Sequence, residues 1–231
     1  MTNDYSARWF ELFLAPFSPA WTAGHVAFLR RQLPLPGFSR ILDVGGGTGR
    51  VAGPLAAAGH TVTVVDSHAG ALAEGAARWP AVRFESGDMR ELVRYAGAFD
   101  AVLCLWQSFG YFDEAANRDV LAGMARCLRP GGRLVLDLYH RDALKTETAR
   151  REVNGVVVES VTRLVDRRYA VALAYSTGGA DTFDWEVFTP EEIAALGTAA
   201  GVRPVLTCAD FNESATATPS RQSFQVVFEK A

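Results

Sequence analysis

The chain has 231 residues, of which 49% are hydrophobic and 21% charged, a balance that is typical of a folded globular protein and excludes a disordered one. A formal net charge of −3 without any block of Lys or Arg argues against a nucleic-acid partner, and neither a membrane-spanning run nor a signal peptide is visible. The three cysteines are widely spaced and never form a CxxC pair, which argues against a disulfide framework and a zinc site and favours a reducing, cytoplasmic location.

The N-terminal part of the chain predicts a helical extension over residues 5–33 that is rich in aromatic side chains. Pro34, Pro36 and Gly37 separate this extension from the first strand candidate, because proline and glycine interrupt helices. We therefore assign residues 1–37 to a helical lid.

Residues 38–150 alternate between short apolar runs and helical patterns, and we assign them to a core that binds the ligand. The apolar runs predict buried strands over residues 40–44, 61–66, 82–85, 99–105 and 133–138. The helical patterns between them cover residues 50–58, 69–78 and 115–128. This alternation predicts βαβ units, and hence an α/β fold with a doubly wound, mostly parallel sheet.

Beyond residue 150 the pattern changes to strand-like alternation over residues 153–165, 170–175 and 183–188. It predicts an antiparallel β insertion over residues 151–188, a surface through which two copies could form a homodimer. A helix-start signal follows, in which Thr189 is the N-cap, Pro190 the first helical residue and Glu192 the third. Strands predicted at 204–209 and 224–229 complete the segment 189–231 of a single domain.

Residues 41–50 read ILDVGGGTGR, an apolar strand that ends on an acid and continues into a turn with four glycines. A turn that binds a dinucleotide has the spacing G-x-G-x-x-G, and the position of its third glycine is occupied here by Arg50. The carboxylate of Asp43 would also repel a pyrophosphate and would favour a cation. The spacing therefore argues against a nicotinamide cofactor.

The stretch resembles motif I of the class I S-adenosylmethionine-dependent methyltransferases, in which an acid at the strand end precedes G-x-G-x-G. The segment RPGGRL at 129–134 resembles the segment before the fifth strand of that family. The resemblance implies a seven-stranded class I sheet and S-adenosylmethionine as the cofactor, released as S-adenosylhomocysteine. It implies that Asp66 binds the ribose, and that Asp88 and Met89 bind the adenine. The implied cofactor residues of the core are Asp43, Gly45, Gly47, Gly49, Asp66, Ser67, Asp88, Met89 and Leu105.

A narrower resemblance concerns WQSFGY at 106–111, which is similar to a segment of the antibiotic-sugar N-methyltransferases. These relatives also carry an antiparallel insertion and an N-terminal tyrosine that closes over the cofactor, which implies that role for Tyr5. We expect Trp106, Phe109, Tyr111 and Tyr139 to form the wall of a small-molecule substrate pocket. The residues at Trp106 and Gln107 depart from the relatives, so the substrate itself cannot be carried over.

His140 follows the fifth predicted strand, at the edge of the sheet where ligands bind in such folds. A histidine there is a candidate general base, since its pKa suits proton transfer near neutrality. A role in capping the loop explains the residue equally well. We see no metal-binding constellation in the sequence.

The sequence therefore predicts a methyltransferase that transfers a methyl group from S-adenosylmethionine to an amine or hydroxyl of a small molecule. Two alternatives remain open at this point. One is a module that binds S-adenosylmethionine without catalysis, and the other is a nicotinamide-dependent dehydrogenase.

Overall fold

A computed structural model describes residues 5–14 and 19–231 of the chain. Its strands, in chain order, are β1 (Arg40–Val44), β2 (Thr61–Asp66), β3 (Arg83–Ser86), β4 (Phe99–Cys104), β5 (Leu128–Tyr139), β6 (Glu147–Val153), β7 (Val156–Val165), β8 (Arg168–Tyr175), β9 (Ala180–Glu186), β10 (Val202–Cys208) and β11 (Ser223–Lys230). Its longer helices are α1 (Pro19–Gln32), α2 (Ala52–Ala57), α3 (Ala69–Arg78), α4 (Glu114–Cys127) and α5 (Pro190–Ala199).

The main sheet has seven strands in the order β10-β11-β5-β4-β1-β2-β3. Strands β1 to β5 pair in parallel, and β11 runs antiparallel to both β5 and β10. The strand order reverses at β1, whose neighbours are β2 and β4, so the connections leave a crevice there at the carboxyl ends of the strands. The predicted doubly wound α/β fold is confirmed.

Both faces of the main sheet are covered, as the continuous apolar runs predict. One face packs with α4 and α5 around Leu121, Met124 and Ile193. The other face packs with α1 and α2 around Phe28 and Leu55. Helix α5 begins at the predicted capping box, in which Thr189 and Glu192 bond to each other's backbone N–H groups.

The insertion forms a second, antiparallel sheet of four strands in the order β6-β7-β8-β9. It begins at Glu147, inside the range that we assigned to the core, so the predicted boundary at 151 is too late. The single strand predicted over 153–165 is also wrong. A tight turn at Asn154 and Gly155, both with positive φ, divides it into the hairpin β6–β7.

The N-terminal segment, defined here as residues 5–14, consists of two short helical turns. It forms a short helical turn at Ala7–Trp9 and then a π-helical turn at Phe10–Leu14. Ser6 caps the first turn, because its hydroxyl accepts the N–H of Trp9. Residues 1–4 and 15–18 of the predicted lid lie outside the described residues.

No helix in the described part of the chain combines the length and the apolar character that a membrane span requires.

Candidate active site

A cleft of about 550 Å³ opens at the carboxyl ends of β1, β2 and β4, at the point where the strand order reverses. Its volume falls within the range of small-molecule sites, roughly 300–1,000 Å³. The glycine turn after β1 forms its floor, and the N-terminal segment contributes part of its wall.

The glycine turn needs its glycines for two different reasons. Gly45 and Gly47 line the cleft in the left-handed region, with φ of +73° and +53°. A Cβ on Gly45 would lie 2.8 Å from Cβ of Ser108, and one on Gly46 would lie 2.6 Å from Oδ2 of Asp43. Side chains are therefore excluded here by the cleft's own walls, which lets a ligand approach the backbone.

Two carboxylates flank this turn. Asp66 ends β2, and its Oδ2 accepts the N–H of Gly47 at 2.9 Å while its Oδ1 accepts the N–H of His68 at 2.8 Å. Asp43 is buried, and burial raises the pKa of its carboxyl to about 7; the charge of Arg50 opposes this rise and that of Asp66 adds to it. The cleft thus has an acidic side that suits a cationic ligand.

A third carboxylate, Asp88, lies at another part of the cleft wall, after β3. It does not cap a helix, since the next helical turn starts at Leu92. Both of its oxygens accept hydrogen bonds from the guanidinium of Arg90, which lowers the pKa of Asp88. The same guanidinium lies 4.6 Å from the ring centroid of Phe112. Asp88 therefore lines the cleft as one half of an ion pair with Arg90.

The loop after β4 turns sharply into the cleft. Trp106 and Gln107 both have left-handed backbones, with φ of 54° and 58°, and the N–H of Ser108 bonds to the carbonyl of Leu105. Such a conformation is costly for residues other than glycine, about 1–3 kcal/mol each, and persists only where the surroundings impose it. Asp137 bonds to both residues of the turn: its carboxylate accepts the N–H of Trp106 at 3.0 Å, and its carbonyl accepts that of Gln107.

Aromatic side chains of the N-terminal segment cover the cleft. The hydroxyls of Tyr5 and Tyr111 lie 2.5 Å apart, and the rings of Trp9 and Trp106 lie 5.5 Å apart. Burial raises the pKa of Tyr5 to about 12 and that of Tyr111 well above its ordinary value. The pair is therefore fully protonated near neutral pH.

Most of the residues that the sequence predicted for the site meet at this cleft. The predicted residues that line it are Tyr5, Asp43, Gly45, Gly47, Asp66, Ser67, Asp88, Met89, Leu105, Trp106 and Tyr111. Their individual roles toward a ligand stay predictions.

Four predicted residues lie elsewhere. Gly49 faces the β3 side, where a Cβ would lie 2.7 Å from Cζ of Phe84, so it serves packing of the turn. Phe109 is fully buried in the main core against Phe188. The ring of Tyr139 stacks on Trp185 of the insertion and does not line the cleft.

His140 is the fourth: it does not line the cleft, where we expected it to lie beside the acceptor. It is buried, its ring lies 5.6 Å from that of Phe224, and its backbone N–H bonds to the carbonyl of Gln222. The strand end turns toward β11, because Tyr139 pairs with Ser223 and carries the next residue away from the cleft.

Some residues of the cleft and of its support were not predicted from the sequence. Arg50 lines the cleft and donates to the hydroxyl of Thr22, with its guanidinium 4.8 Å from the ring centroid of Trp21. Its position directly after the glycine turn is the signal that could have identified its side chain as part of the cleft. Arg90 and the supporting Asp137 gave no local signal, because their partners are set by the tertiary fold.

Comparison with known proteins agrees with this geometry. Residues 41–132 match the family described as "Methyltransferase domain". A demethylmenaquinone methyltransferase of Renibacterium salmoninarum is 39% identical over 102 residues, which are 44% of this chain and 41% of the relative. The chain thus spans less than half of that relative's length.

Solved structures extend the similarity over nearly the whole chain. An S-adenosylmethionine-dependent methyltransferase from Clostridium acetobutylicum superposes with a TM-score of 0.81 at 13% identity, covering 97% of this chain and 96% of the other. An amino pentose methyltransferase of Micromonospora echinaspora involved in calicheamicin biosynthesis, solved with S-adenosylmethionine bound, superposes with a TM-score of 0.75 at 24% identity over 100% of both chains. Residues 41–132 thus resemble a methyltransferase domain, and the chain has the fold of the class I methyltransferases.

The residues of the cleft fit that cofactor. Its sulfonium and ammonium groups are cations, and the cleft places Asp43 and Asp66 beside a turn without side chains. Its carboxylate needs a cationic or N–H partner, which Arg50 and the backbone of the glycine turn offer. Among the described residues, no cluster of His, Cys, Asp and Glu could hold a metal ion.

Proposed function

We propose that this protein transfers a methyl group from S-adenosylmethionine to a small-molecule acceptor, and that the attacked atom is an amine nitrogen. The observation that carries the transfer is the pairing of Asp43 and Asp66 with a side-chain-free turn beneath an aromatic cover. When bound, S-adenosylmethionine supplies an electrophilic methyl group on its sulfonium.

The chain's own residues hold the cofactor and exclude water. Asp66 keeps the glycine turn in place through its bond to the N–H of Gly47 and accepts further hydrogen bonds from ribose hydroxyls. Tyr5 and Trp9 cover the cleft from above. Holding reactants in an aligned, dry site contributes up to ~7–11 kcal/mol to such a reaction.

The preference for an amine rests on the protonation of the groups that line the aromatic side of the cleft. Tyr5 and Tyr111 are protonated phenols and cannot remove a proton near neutral pH. Nδ1 of His68 already accepts the N–H of Ala71 at 3.0 Å, so its lone pair serves as a helix cap. A neutral amine needs no base before it attacks, whereas a hydroxyl does. The hydroxyl pair of Tyr5 and Tyr111 would accept the amine N–H and orient its lone pair.

The amino pentose methyltransferase with the same fold acts on an amino sugar by its name, which supports a small acceptor here. The buried, free cysteines Cys104, Cys127 and Cys208 suit a reducing compartment, and we propose the cytoplasm as the site of action. We also keep the proposal of a homodimer through the insertion, whose outer face exposes Val161 and Val165. Light scattering of the purified protein tests it.

Calorimetry with S-adenosylhomocysteine and NAD separates the candidate cofactors. We expect binding of S-adenosylhomocysteine and no comparable binding of NAD, because Arg50 occupies the position of the third dinucleotide glycine. Tighter binding of NAD would contradict the proposal.

Incubation with a cell extract and labelled S-adenosylmethionine then separates an enzyme from a binding module. We expect one small product, heavier by a methylene, in mass spectrometry. Binding of the cofactor without any labelled small product would favour the module.

A further inference from the structure

Within residues 5–14 and 19–231, two turns contain consecutive residues other than glycine with left-handed backbones. One is Trp106-Gln107 at the cleft, and the other is Asp210-Phe211, with φ of 55° and 52°. In the first turn the N–H of Ser108 bonds to the carbonyl of Leu105, and in the second the N–H of Asn212 bonds to the carbonyl of Ala209. Trp106, Gln107 and Phe211 are poorly suited to this conformation, which glycine and asparagine prefer.

Two buried side chains, Gln225 and Asp137, connect the two turns. Gln225, on β11, is fully buried, and its Oε1 accepts the N–H of Phe211 at 2.8 Å. Its Nε2 donates to Oδ1 of Asp137 at 2.8 Å, and Oδ2 of Asp137 accepts the N–H of Trp106 at 3.0 Å. Gln225 and Asp137 lie directly opposite each other in the β11–β5 ladder. The two side chains thus form a continuous chain of hydrogen bonds between the turns.

The turn at Trp106 is coupled to the other parts of the cleft. Ser108, at its end, is the side chain that a Cβ on Gly45 would strike. The ring of Trp106 meets that of Trp9 from the N-terminal segment at 5.5 Å. A small rotation of this turn therefore alters both the glycine floor and the aromatic cover.

We propose that Asp137 and Gln225 are a positioning pair that holds Trp106 in its left-handed conformation and thereby sets the shape of the cleft. Neither side chain lines the cleft, so both act through Trp106. The proposal rests on the proposed function only in taking the cleft as the S-adenosylmethionine site.

The pair works only while residue 137 accepts two hydrogen bonds. Burial raises the pKa of Asp137 to about 6, while the bonds from Gln225 and Trp106 and the charge of Arg50 act in the opposite direction. The carboxylate is therefore mostly ionised near neutral pH and accepts both N–H groups. An asparagine at 137 has one acceptor oxygen, so its amide NH₂ would face another donor on one side.

Reversing the polarity of the pair provides a sharp test. The double variant is Asp137→Asn with Gln225→Glu. Its new carboxylate at 225 can accept the N–H of Phe211 and the side-chain NH₂ at 137. The side-chain amide oxygen at 137 then accepts the N–H of Trp106. The double variant keeps every hydrogen bond, whereas Asp137→Asn alone loses at least one.

The probe is S-adenosylhomocysteine, measured by calorimetry, with ¹⁹F NMR of protein labelled with 5-fluorotryptophan as a second readout. Trp106→Phe assigns the resonance of Trp106. We expect Asp137→Asn to shift or broaden that resonance and to weaken binding about tenfold, equivalent to ~1.4 kcal/mol. We expect the double variant to restore both.

Asp100→Asn is the matched control. Asp100 is a buried acid of the same sheet, near the amino-terminal end of the central strand β4, where it bonds to Arg40 and Arg129. We expect this variant to lose stability but to keep the Trp106 resonance and the affinity. Should Asp137→Asn fail to fold, the comparison is made in a Gln107→Gly background, because glycine adopts the left-handed conformation without strain.

An unchanged resonance and affinity in Asp137→Asn would overturn the proposal, and so would a folded double variant that stays impaired. Equal effects of Asp100→Asn would also overturn it, since general destabilisation would then explain the result. If the wild-type protein binds no S-adenosylhomocysteine, the proposed function fails, and the Trp106 resonance alone decides the positioning role.

Discussion

Ser6 binds Asp181 through two hydrogen bonds, from its backbone N–H at 2.9 Å and from its hydroxyl at 2.7 Å. Asp181 belongs to β9, is buried, and also accepts the hydroxyl hydrogen of Tyr175 at 2.5 Å. The N-terminal segment is thus fixed to the insertion sheet, and Tyr5 stacks on Phe183 of the same strand. The cover of the cleft therefore rests on the insertion.

Ser6→Ala should loosen this cover. The variant loses the hydroxyl's bond to the carboxylate, which contributes about 1.5–3 kcal/mol, and also the cap on the N–H of Trp9. We expect S-adenosylhomocysteine to dissociate about tenfold faster or more, and hydrogen exchange to accelerate over residues 5–14. Arg8→Ala is the control, because it removes only the exposed ion pair with Glu11 on the same segment. Equal dissociation rates in Ser6→Ala and wild type would show that the segment does not gate the cleft.

Asp66→Ala should weaken cofactor binding by ~1.5–3 kcal/mol, the range for hydrogen bonds to a charged group. It removes the acceptor for the N–H of Gly47 as well as the predicted ribose contact. Asp113→Ala is a suitable control, since this acid only caps α4 and its loss should cost about 1 kcal/mol of stability. An affinity for S-adenosylhomocysteine that matches wild type, in a folded variant, would remove Asp66 from the site.

Binding of S-adenosylmethionine should depend on pH through Asp43. The pKa of its carboxyl is raised to about 7, chiefly by burial, so the free protein gains a negative charge there between pH 6 and 8. A cationic ligand favours the ionised form, and affinity should rise by about tenfold across this interval. The difference between wild type and Asp43→Asn in calorimetry isolates this contribution from the ligand's own titration. Parallel pH profiles for the two proteins would exclude Asp43 as a charge partner.

The raised pKa of Asp43 also makes the stability of the ligand-free protein depend on pH, but in the opposite direction: stability falls as the pH rises. Between the ordinary aspartate value and about pH 7, the folded state holds more protons on Asp43 than the unfolded state does. The contribution of this group to stability is therefore present at low pH and is lost as the pH rises through 7. Thermal unfolding of wild type should show this loss relative to Asp43→Asn.

Gly47→Ala and Gly49→Ala should have different consequences. Both positions have positive φ, so alanine adds strain of about 1–3 kcal/mol at either one. Only at Gly49 would the Cβ also collide with Phe84, at 2.7 Å, which adds a similar cost from overpacking. We expect Gly49→Ala to lower the Tm more than Gly47→Ala does. Relative to its loss of stability, Gly47→Ala should lose more affinity for S-adenosylhomocysteine than Gly49→Ala does. The reverse order would contradict the assignment of Gly47 to the cleft and Gly49 to packing.

The sequence predicted those parts of the fold that depend on local patterns. Strands β1 and β2 and helix α3 begin and end where the apolar and helical patterns do. The hairpin of β6 and β7 was missed because residues on both sides of Asn154 and Gly155 are strand-forming, so the turn interrupts an otherwise uniform pattern. Within the site, the motif residues were found because their spacing carries the signal.

The misplaced residues share one cause. Chain order indicates at which strand end a residue lies, but the tilt of the following loop decides where its side chain goes. His140 follows β5 as expected, yet pairing with β11 directs it into the core. The bond between Asp137 and Gln225 joins residues 88 positions apart, and no local pattern reports such a contact.

The place of Gln225 in chain order has a consequence for biosynthesis. Residues 41–132 contain the glycine turn, but the side chain that completes the support of Trp106 comes from the last strand of the sheet. A nascent chain that has emerged only as far as β10 lacks this support. Pairing of β11 between β5 and β10 is a late, long-range step, and contacts of this kind form slowly. With the positioning role proposed for Gln225, the glycine turn therefore leaves the ribosome before the support of Trp106 can form.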